Sequence, residues 1–219
     1  MSDRAFDLVI FDMDGTLIDS MGCLADWLCR AVKDHSPSTV TPEIITKAFG
    51  PPEQPIIAKF VPAELVRPCL NAYYELYESE HDRVSVYPGI DELLRELRRK
   101  DVHMALCTGK SRRAVEIRLE RLGWEDIFQE IITGDDTKEF KPHPEGLNLI
   151  LRRTTAARGR TIFVGDGTAD LAAAKSAGMI GGRAEWGAPG ALPAGSPQPD
   201  YRFSTTRAFA ELLEGKPLK

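Results

Sequence analysis

Asp7-Leu8-Val9-Ile10-Phe11-Asp12-Met13-Asp14-Gly15-Thr16 decides how the rest of the chain reads. Its four consecutive apolar residues form the short unbroken run of a strand buried on both faces of a parallel sheet. The run stops abruptly at a polar cluster, and the arrangement recurs. Val102-His103-Met104-Ala105-Leu106-Cys107 runs into Thr108-Gly109-Lys110-Ser111, and Thr161-Ile162-Phe163-Val164 runs into Gly165-Asp166-Gly167-Thr168. A fourth run, Ile131-Ile132-Thr133, precedes Gly134-Asp135-Asp136. Between the runs the apolar period becomes helical: Ile90, Leu93, Leu94 and Leu97; Ala114, Ile117, Leu119 and Leu122; Leu147, Ile150 and Leu151; Leu171, Ala172, Ala174 and Ala177. Alternation at this spacing predicts an α/β fold with a doubly wound parallel sheet, helices covering both faces. Ligands of such sheets bind beyond the carboxyl ends of the strands, where every polar cluster above is expected.

Residues 17–85 follow another rule. Met21, Leu24, Trp27, Leu28 and Ala31 lie on one helical face, and helical stretches are expected over 42–49, 53–60 and 63–77, broken by prolines. No strand pattern appears among them, so a small all-helical insert after the first strand is expected. Trp27, Tyr73, Tyr74 and Tyr77 read as its core. Residues 181–199, rich in Gly, Ala and Pro, read as a long surface loop, and His103 as a packed mid-strand residue.

Composition narrows the function classes. The 219 residues are 42% hydrophobic and 28% charged, with a formal net charge of −5. That balance supplies no general drive toward nucleic acid or an anionic membrane. No apolar run approaches the roughly 20 residues that span a bilayer. Residues 1–7 are polar and acidic, unlike a signal peptide, and four cysteines without a C-x-x-C pair argue against a metal cluster or disulfide framework. The expectation is a cytoplasmic protein without nucleic-acid or membrane partners.

Asp12 and Asp14 stand two apart; a tight loop at Gly15 brings both toward one point, where carboxylates need a cation or a shared proton. The same residue types also make ordinary turns. Asp166 ends a strand and Asp170 falls one turn into the next helix, so four carboxylates are expected on one sheet edge. An oxygen-only set of that kind suits Mg²⁺. Helix capping accounts for one of Asp166 and Asp170 more readily than for both. Thr108-Gly109 offers a hydroxyl and free N–H groups to an anion at a helix start, with Ser111 competing as the cap. Lys141, between a strand and a helix, sets a positive charge opposite the carboxylates, although most lysines are solvated.

The ordered set D-x-D-G-T, T-G, K-P and G-D-x-x-x-D resembles the haloacid dehalogenase superfamily of phosphohydrolases. The stretch from Ala172 to Met179 and the pair Trp186-Gly187 resemble its phosphoglycolate phosphatase group. The resemblance implies a Rossmann-like catalytic core over residues 1–16 and 86–219, with a helical cap domain over 17–85. It implies a Mg²⁺-dependent phosphatase acting on a small phosphorylated metabolite through an aspartyl-phosphate. Asp12 is then the nucleophile and Asp14 the general acid and base. Thr108 and Lys141 bind phosphoryl oxygens, and Asp170 orients Lys141 or a metal-bound water. Mg²⁺ is held by Asp12, Asp166 and the Asp14 backbone carbonyl, and substrate contacts fall on Gly15, Thr16, Thr108, Gly109 and Lys141. Gly167 stands where many relatives carry Ser or Thr, and Phe49-Gly50-Pro51-Pro52 looks like a specificity loop. Asp14 favours oxygen leaving groups over halide. Phosphoglycolate leads among substrates, followed by pyrophosphate, a nucleotide monophosphate or a sugar phosphate. Three rivals stay open. A phosphomutase of the β-phosphoglucomutase type keeps both aspartates. A phosphonoacetaldehyde hydrolase needs a cap lysine, for which Lys33, Lys47 and Lys59 are available. A non-catalytic phospho-acceptor module also binds Mg²⁺ and phosphate, but is short and lacks the insert.

Overall fold

The computed structural model describes residues 5–187 and 190–213. In chain order the elements begin with β1 (Leu8–Phe11), β2 (Ile18–Asp19), α1 (Met21–Val32), α2 (Pro42–Thr46), α3 (Glu53–Ile57), α4 (Val66–Ser79) and β3 (Ser85–Val86). They continue with α5 (Ile90–Arg99), β4 (His103–Cys107), α6 (Arg112–Leu122), β5 (Glu130–Ile132), α7 (Glu145–Thr154) and β6 (Thr161–Gly165). Last come α8 (Thr168–Ala177), β7 (Ile180–Ala184), β8 (Tyr201–Phe203) and α9 (Thr206–Leu213).

Six strands form one sheet in the order β5-β4-β1-β6-β7-β8, and every pair is parallel. All four residues of β1 are buried, and they divide by parity. Leu8 and Ile10 pack with Leu147, Ile150, Ala173 and Ala174 of α7 and α8 on one face. Val9 and Phe11 pack with Leu93, Leu97, Ala114 and Phe209 of α5, α6 and α9 on the other. Burying each such side chain contributes about 1.5–3 kcal/mol, which is why an unbroken apolar run marks the centre of the sheet. The chain leaves β1 toward β4 on one side, and β6 lies on the other. The strand order therefore reverses at β1, and a crevice opens past its carboxyl end, where Asp12 begins the loop.

The helices between β2 and β3 build a second apolar layer continuous with the first. Trp27, Tyr73 and Tyr77 are fully buried within it, with Trp27 and Tyr77 edge to face at 5.4 Å. Pro68 is tolerated in α4 because it lies in the first turn, where no intrahelical N–H partner is lost.

Three expectations are corrected. Residues 17–85 are not free of strand: Ile18–Asp19 pairs antiparallel with Ser85–Val86, tying the two ends of the insert together. Two-residue strands carry no readable period. The expected loop over 181–199 starts later, because Gly181 to Ala184 belong to β7; residues 188–189 lie outside the described residues. β8 and α9 carried no expectation. His103 opens β4 and is exposed rather than packed.

Candidate active site

At the end of β1 the Asp12 amide donates to Val164 O (2.9 Å), so the chain keeps its place in the sheet for one more residue before turning. The turn is tight: the amides of Thr16, Leu17 and Ile18 all donate to Met13 O, at 3.3, 2.9 and 3.2 Å. Gly15 has φ +81°, and a Cβ there would sit 2.7 Å from Asp166 Oδ1. Only glycine satisfies both demands. Thr16, fully buried, donates its hydroxyl to Asp166 Oδ1 (3.3 Å), and its carbonyl accepts from Trp186 Nε1 (2.7 Å).

Lys141 reaches across the sheet edge from the loop before α7. Its Nζ lies 2.7 Å from both Asp12 Oδ1 and Asp170 Oδ1, and 3.4 Å from Cys107 O. Asp170 also accepts from the Gly167 amide with Oδ2 (3.0 Å), capping α8. Asp12, Asp166 and Asp170 bring carboxylate oxygens within 4.8 Å of one another. Burial raises the Asp12 carboxyl above its usual range against the opposing pull of Lys141. Burial, then the neighbouring Asp170, pushes Asp166 up to about 6. Burial disfavours the Lys141 ammonium, but Asp12 and Asp170 outweigh it and hold its pKa above the ordinary lysine value. Crowded carboxylates with raised pKa are a group short of positive charge.

Ser111 takes the cap of α6, accepting from the Ala114 amide (3.3 Å). Thr108 is thus free of that duty. It lines a cavity of about 250 Å³ together with Gly109, Asp12, Asp14, Lys141, Asp166 and Asp170. Asp14 is in the cavity but outside the three-carboxylate cluster, because its side chain turns toward Ser20 Oγ (2.5 Å) and Lys110 Nζ (3.7 Å). Side chains of three aspartates rather than four therefore converge. Gly15 and Thr16 do not line the cavity; they stand behind Asp166 and fix it.

One charged pair, Lys110 and Glu53, was not legible in the sequence. Lys110, buried after β4, lies 3.5 Å from Glu53 Oε1 on α3 and 3.5 Å from Tyr73 OH. Burial works against its charge, but Asp14, Tyr77 and Glu53 prevail and raise its pKa. Glu53, also buried, accepts from the Ser111 amide with Oε2 (3.1 Å). A lysine beside a helix start and a glutamate in the first turn of another helix both read as surface residues, and nothing in their separation pairs them. Lys33, Lys47 and Lys59 are all exposed, away from this cavity.

The haloacid dehalogenase-like hydrolase family matches residues 9–180. The chain belongs to that family. As a haloacid dehalogenase-like hydrolase it is 32% identical over 181 residues to the phosphoglycolate phosphatase of Pseudomonas putida. That match covers 78% of this chain and 66% of the relative, so the chain spans just under two thirds of the relative's length. It is 29% identical to pyrophosphatase PpaX of Bacillus velezensis, covering 92% of this chain and 93% of that one. The crystal structure of a predicted phosphoglycolate phosphatase from Haemophilus somnus 129PT superposes with a TM-score of 0.81 at 22% identity. That superposition covers 96% of this chain and 99% of the other, and it shows the shared α/β fold.

Proposed function

We propose that this hydrolase is a Mg²⁺-dependent phosphatase that cleaves a small phosphomonoester through an aspartyl-phosphate on Asp12. The observation that carries the reading is the Lys141 ammonium held 2.7 Å from both Asp12 and Asp170, with Asp166 in the same cluster at the cavity. The donor set fits a hard divalent cation. It is all oxygen, it is largely buried, and the pKa values of Asp12 and Asp166 within it are raised by burial and neighbouring carboxylates. Asp12 and Asp166 would hold Mg²⁺ with the Asp14 backbone carbonyl. When bound, the ion supplies charge that screens the repulsion between a phosphoryl group and an anionic nucleophile.

The chain's own residues do the rest. An Asp12 carboxylate oxygen bonds to phosphorus as the bond from phosphorus to the ester oxygen breaks, giving an acyl-phosphate. Lys141 holds that carboxylate in place and takes charge from the phosphoryl oxygens, as do the Thr108 hydroxyl and the Gly109 N–H. Asp14 gives its proton to the leaving alkoxide, then takes one from the water that attacks phosphorus and frees phosphate and Asp12. Asp170 keeps Lys141 aimed. Residues 17–85 act as a cap: Met21, Leu24, Leu28, Phe49 and Ile56 supply the far wall of the cavity and keep bulk water from the acyl-phosphate.

Phosphate release from a panel of phosphomonoesters, with Mg²⁺ and with EDTA, tests the proposal. Release from at least one ester, lost in EDTA and lowered at least about 10³-fold in Asp12→Asn, is expected. An Asp12→Asn variant with wild-type activity would refute the role of Asp12. Interconversion of sugar phosphates without release would replace the phosphatase by a phosphomutase. A stably phosphorylated Asp12 without turnover would point to a phospho-acceptor.

A further inference from the structure

Three aspartates and Lys141 account for the phosphoryl end of the cavity, leaving the end toward the insert to receive the rest of the substrate. Five carboxylates line the cavity (Asp12, Asp14, Glu53, Asp166 and Asp170) against two ammonium groups, Lys110 and Lys141. Lys141 is committed to Asp12 and Asp170. Lys110 is boxed in: Glu53 at 3.5 Å, Asp14 at 3.7 Å, Tyr73 OH at 3.5 Å and the Tyr77 ring centroid at 4.7 Å. With Asp14 protonated as the proton donor, a bound divalent cation brings the lining only to neutrality, so no positive charge is left over for a second anion on the substrate. Among the described residues, the insert contributes apolar side chains such as Met21, Leu24, Leu28 and Phe49, together with Tyr73 and the anionic Glu53, and no lysine or arginine.

We propose that Glu53 is a specificity-determining residue: by engaging Lys110 it removes the last free cation from the leaving-group end and selects phosphomonoesters whose leaving group carries no anion. The inference rests on the phosphatase reading and sharpens it, because it separates this chain from relatives named for phosphoglycolate and pyrophosphate. A second carboxylate or phosphate on the substrate must give up water in an apolar pocket without a spare cation and without gaining a partner. An uncharged alcohol of the same size meets no such barrier and gains contact with the apolar wall. Unpaired charge set against the wrong ligand is a general source of selectivity.

The test compares phosphoglycolate, its carboxamide, propyl phosphate and inorganic pyrophosphate as substrates of the wild-type Mg²⁺ enzyme and of Glu53→Gln. Phosphoglycolate and its carboxamide differ in charge and hardly in shape. The wild type is expected to hydrolyse the carboxamide and propyl phosphate with kcat/KM at least about tenfold above phosphoglycolate. Glu53→Gln retains a side-chain acceptor for the Ser111 amide but leaves Lys110 with Asp14 as its one nearby carboxyl partner among the described residues, so it is expected to narrow that gap by raising the phosphoglycolate rate. Wild-type preference for phosphoglycolate or pyrophosphate overturns the inference while leaving the phosphatase reading intact. A gap that Glu53→Gln leaves unchanged overturns the assignment to Glu53, and the wild-type comparison decides the class even if that variant does not fold. Silence toward all four compounds and toward p-nitrophenyl phosphate overturns the phosphatase reading and this inference with it.

Discussion

Lys141 shows how a single side chain carries both the site and part of the stability. It stands between two largely buried carboxylates, 2.7 Å from each, and its removal leaves them facing one another without compensation. Breaking a buried ion pair by deleting one partner costs about 3–5 kcal/mol. Lys141→Ala is therefore expected to lose activity and a comparable share of stability, with the loss larger at pH 8 than at pH 5, where the stranded carboxylates take up protons. Urea melts at the two pH values check this; equal losses would mean that the pair is not charged in the folded chain. Asp166 gives a second pH effect. Its folded pKa of about 6 lies above the ordinary aspartate value of about 3.9, so the folded state binds this proton more tightly than the unfolded state. Its contribution therefore favours folding at low pH and fades as pH rises through about 6. A bound cation reverses that sign. The rise in Tm on adding Mg²⁺ is expected to shrink as pH falls below about 6, and a pH-independent rise would remove Asp166 from the metal site. The gathering of Asp12, Asp166, Asp170 and Lys141 at one sheet edge was legible because they lie in the loops and first helical turn that follow recognisable strands; the meeting of Lys110 and Glu53 was not, because it is made only by folding.

At the scale of elements, the sheet was legible wherever burial on both faces forces an apolar run, as in β1, where Leu8 and Ile10 face one set of helices and Val9 and Phe11 the other. β7 was missed for a packing reason. A Cβ at Gly182 would lie 2.8 Å from the Phe203 ring of β8, so the strand needs glycine just where glycine suggests a loop. The seating of the insert on the core depends on a similar close approach. A Cβ at Gly109 would run into Gly50 O, so the loop before α3 rests directly on the loop after β4. Gly109→Ala is expected to push that loop away, loosening the Glu53–Lys110 contact and raising KM severalfold, while core stability changes by less than about 1 kcal/mol. Steady-state kinetics beside a thermal melt separates the two effects; an unchanged KM would show that the loop adjusts freely.

Across the whole molecule one apolar cluster runs from the Phe11 face of the sheet through Met13 and Leu17 to Trp27, Ile57 and Tyr73 of the insert. Among the described residues, that single cluster includes side chains of both the insert and the sheet. The insert and the sheet are therefore expected to unfold together, with far-UV circular dichroism, which reads helices throughout, and tryptophan fluorescence giving coincident denaturant transitions. Separate midpoints would make the insert an independently folding domain. By itself the sequence determined that a parallel sheet would form and that its strand ends would carry aspartates, a threonine and a lysine, because these follow from local period and from which residues stop a strand. Tertiary structure alone decided that Asp14 turns from the other three toward Lys110, that Thr16 fixes Asp166 rather than facing the cavity, and that Glu53 meets Lys110. Those outcomes depend on distances between residues far apart along the chain, and the geometry that sets them exists only once the insert is packed against the core.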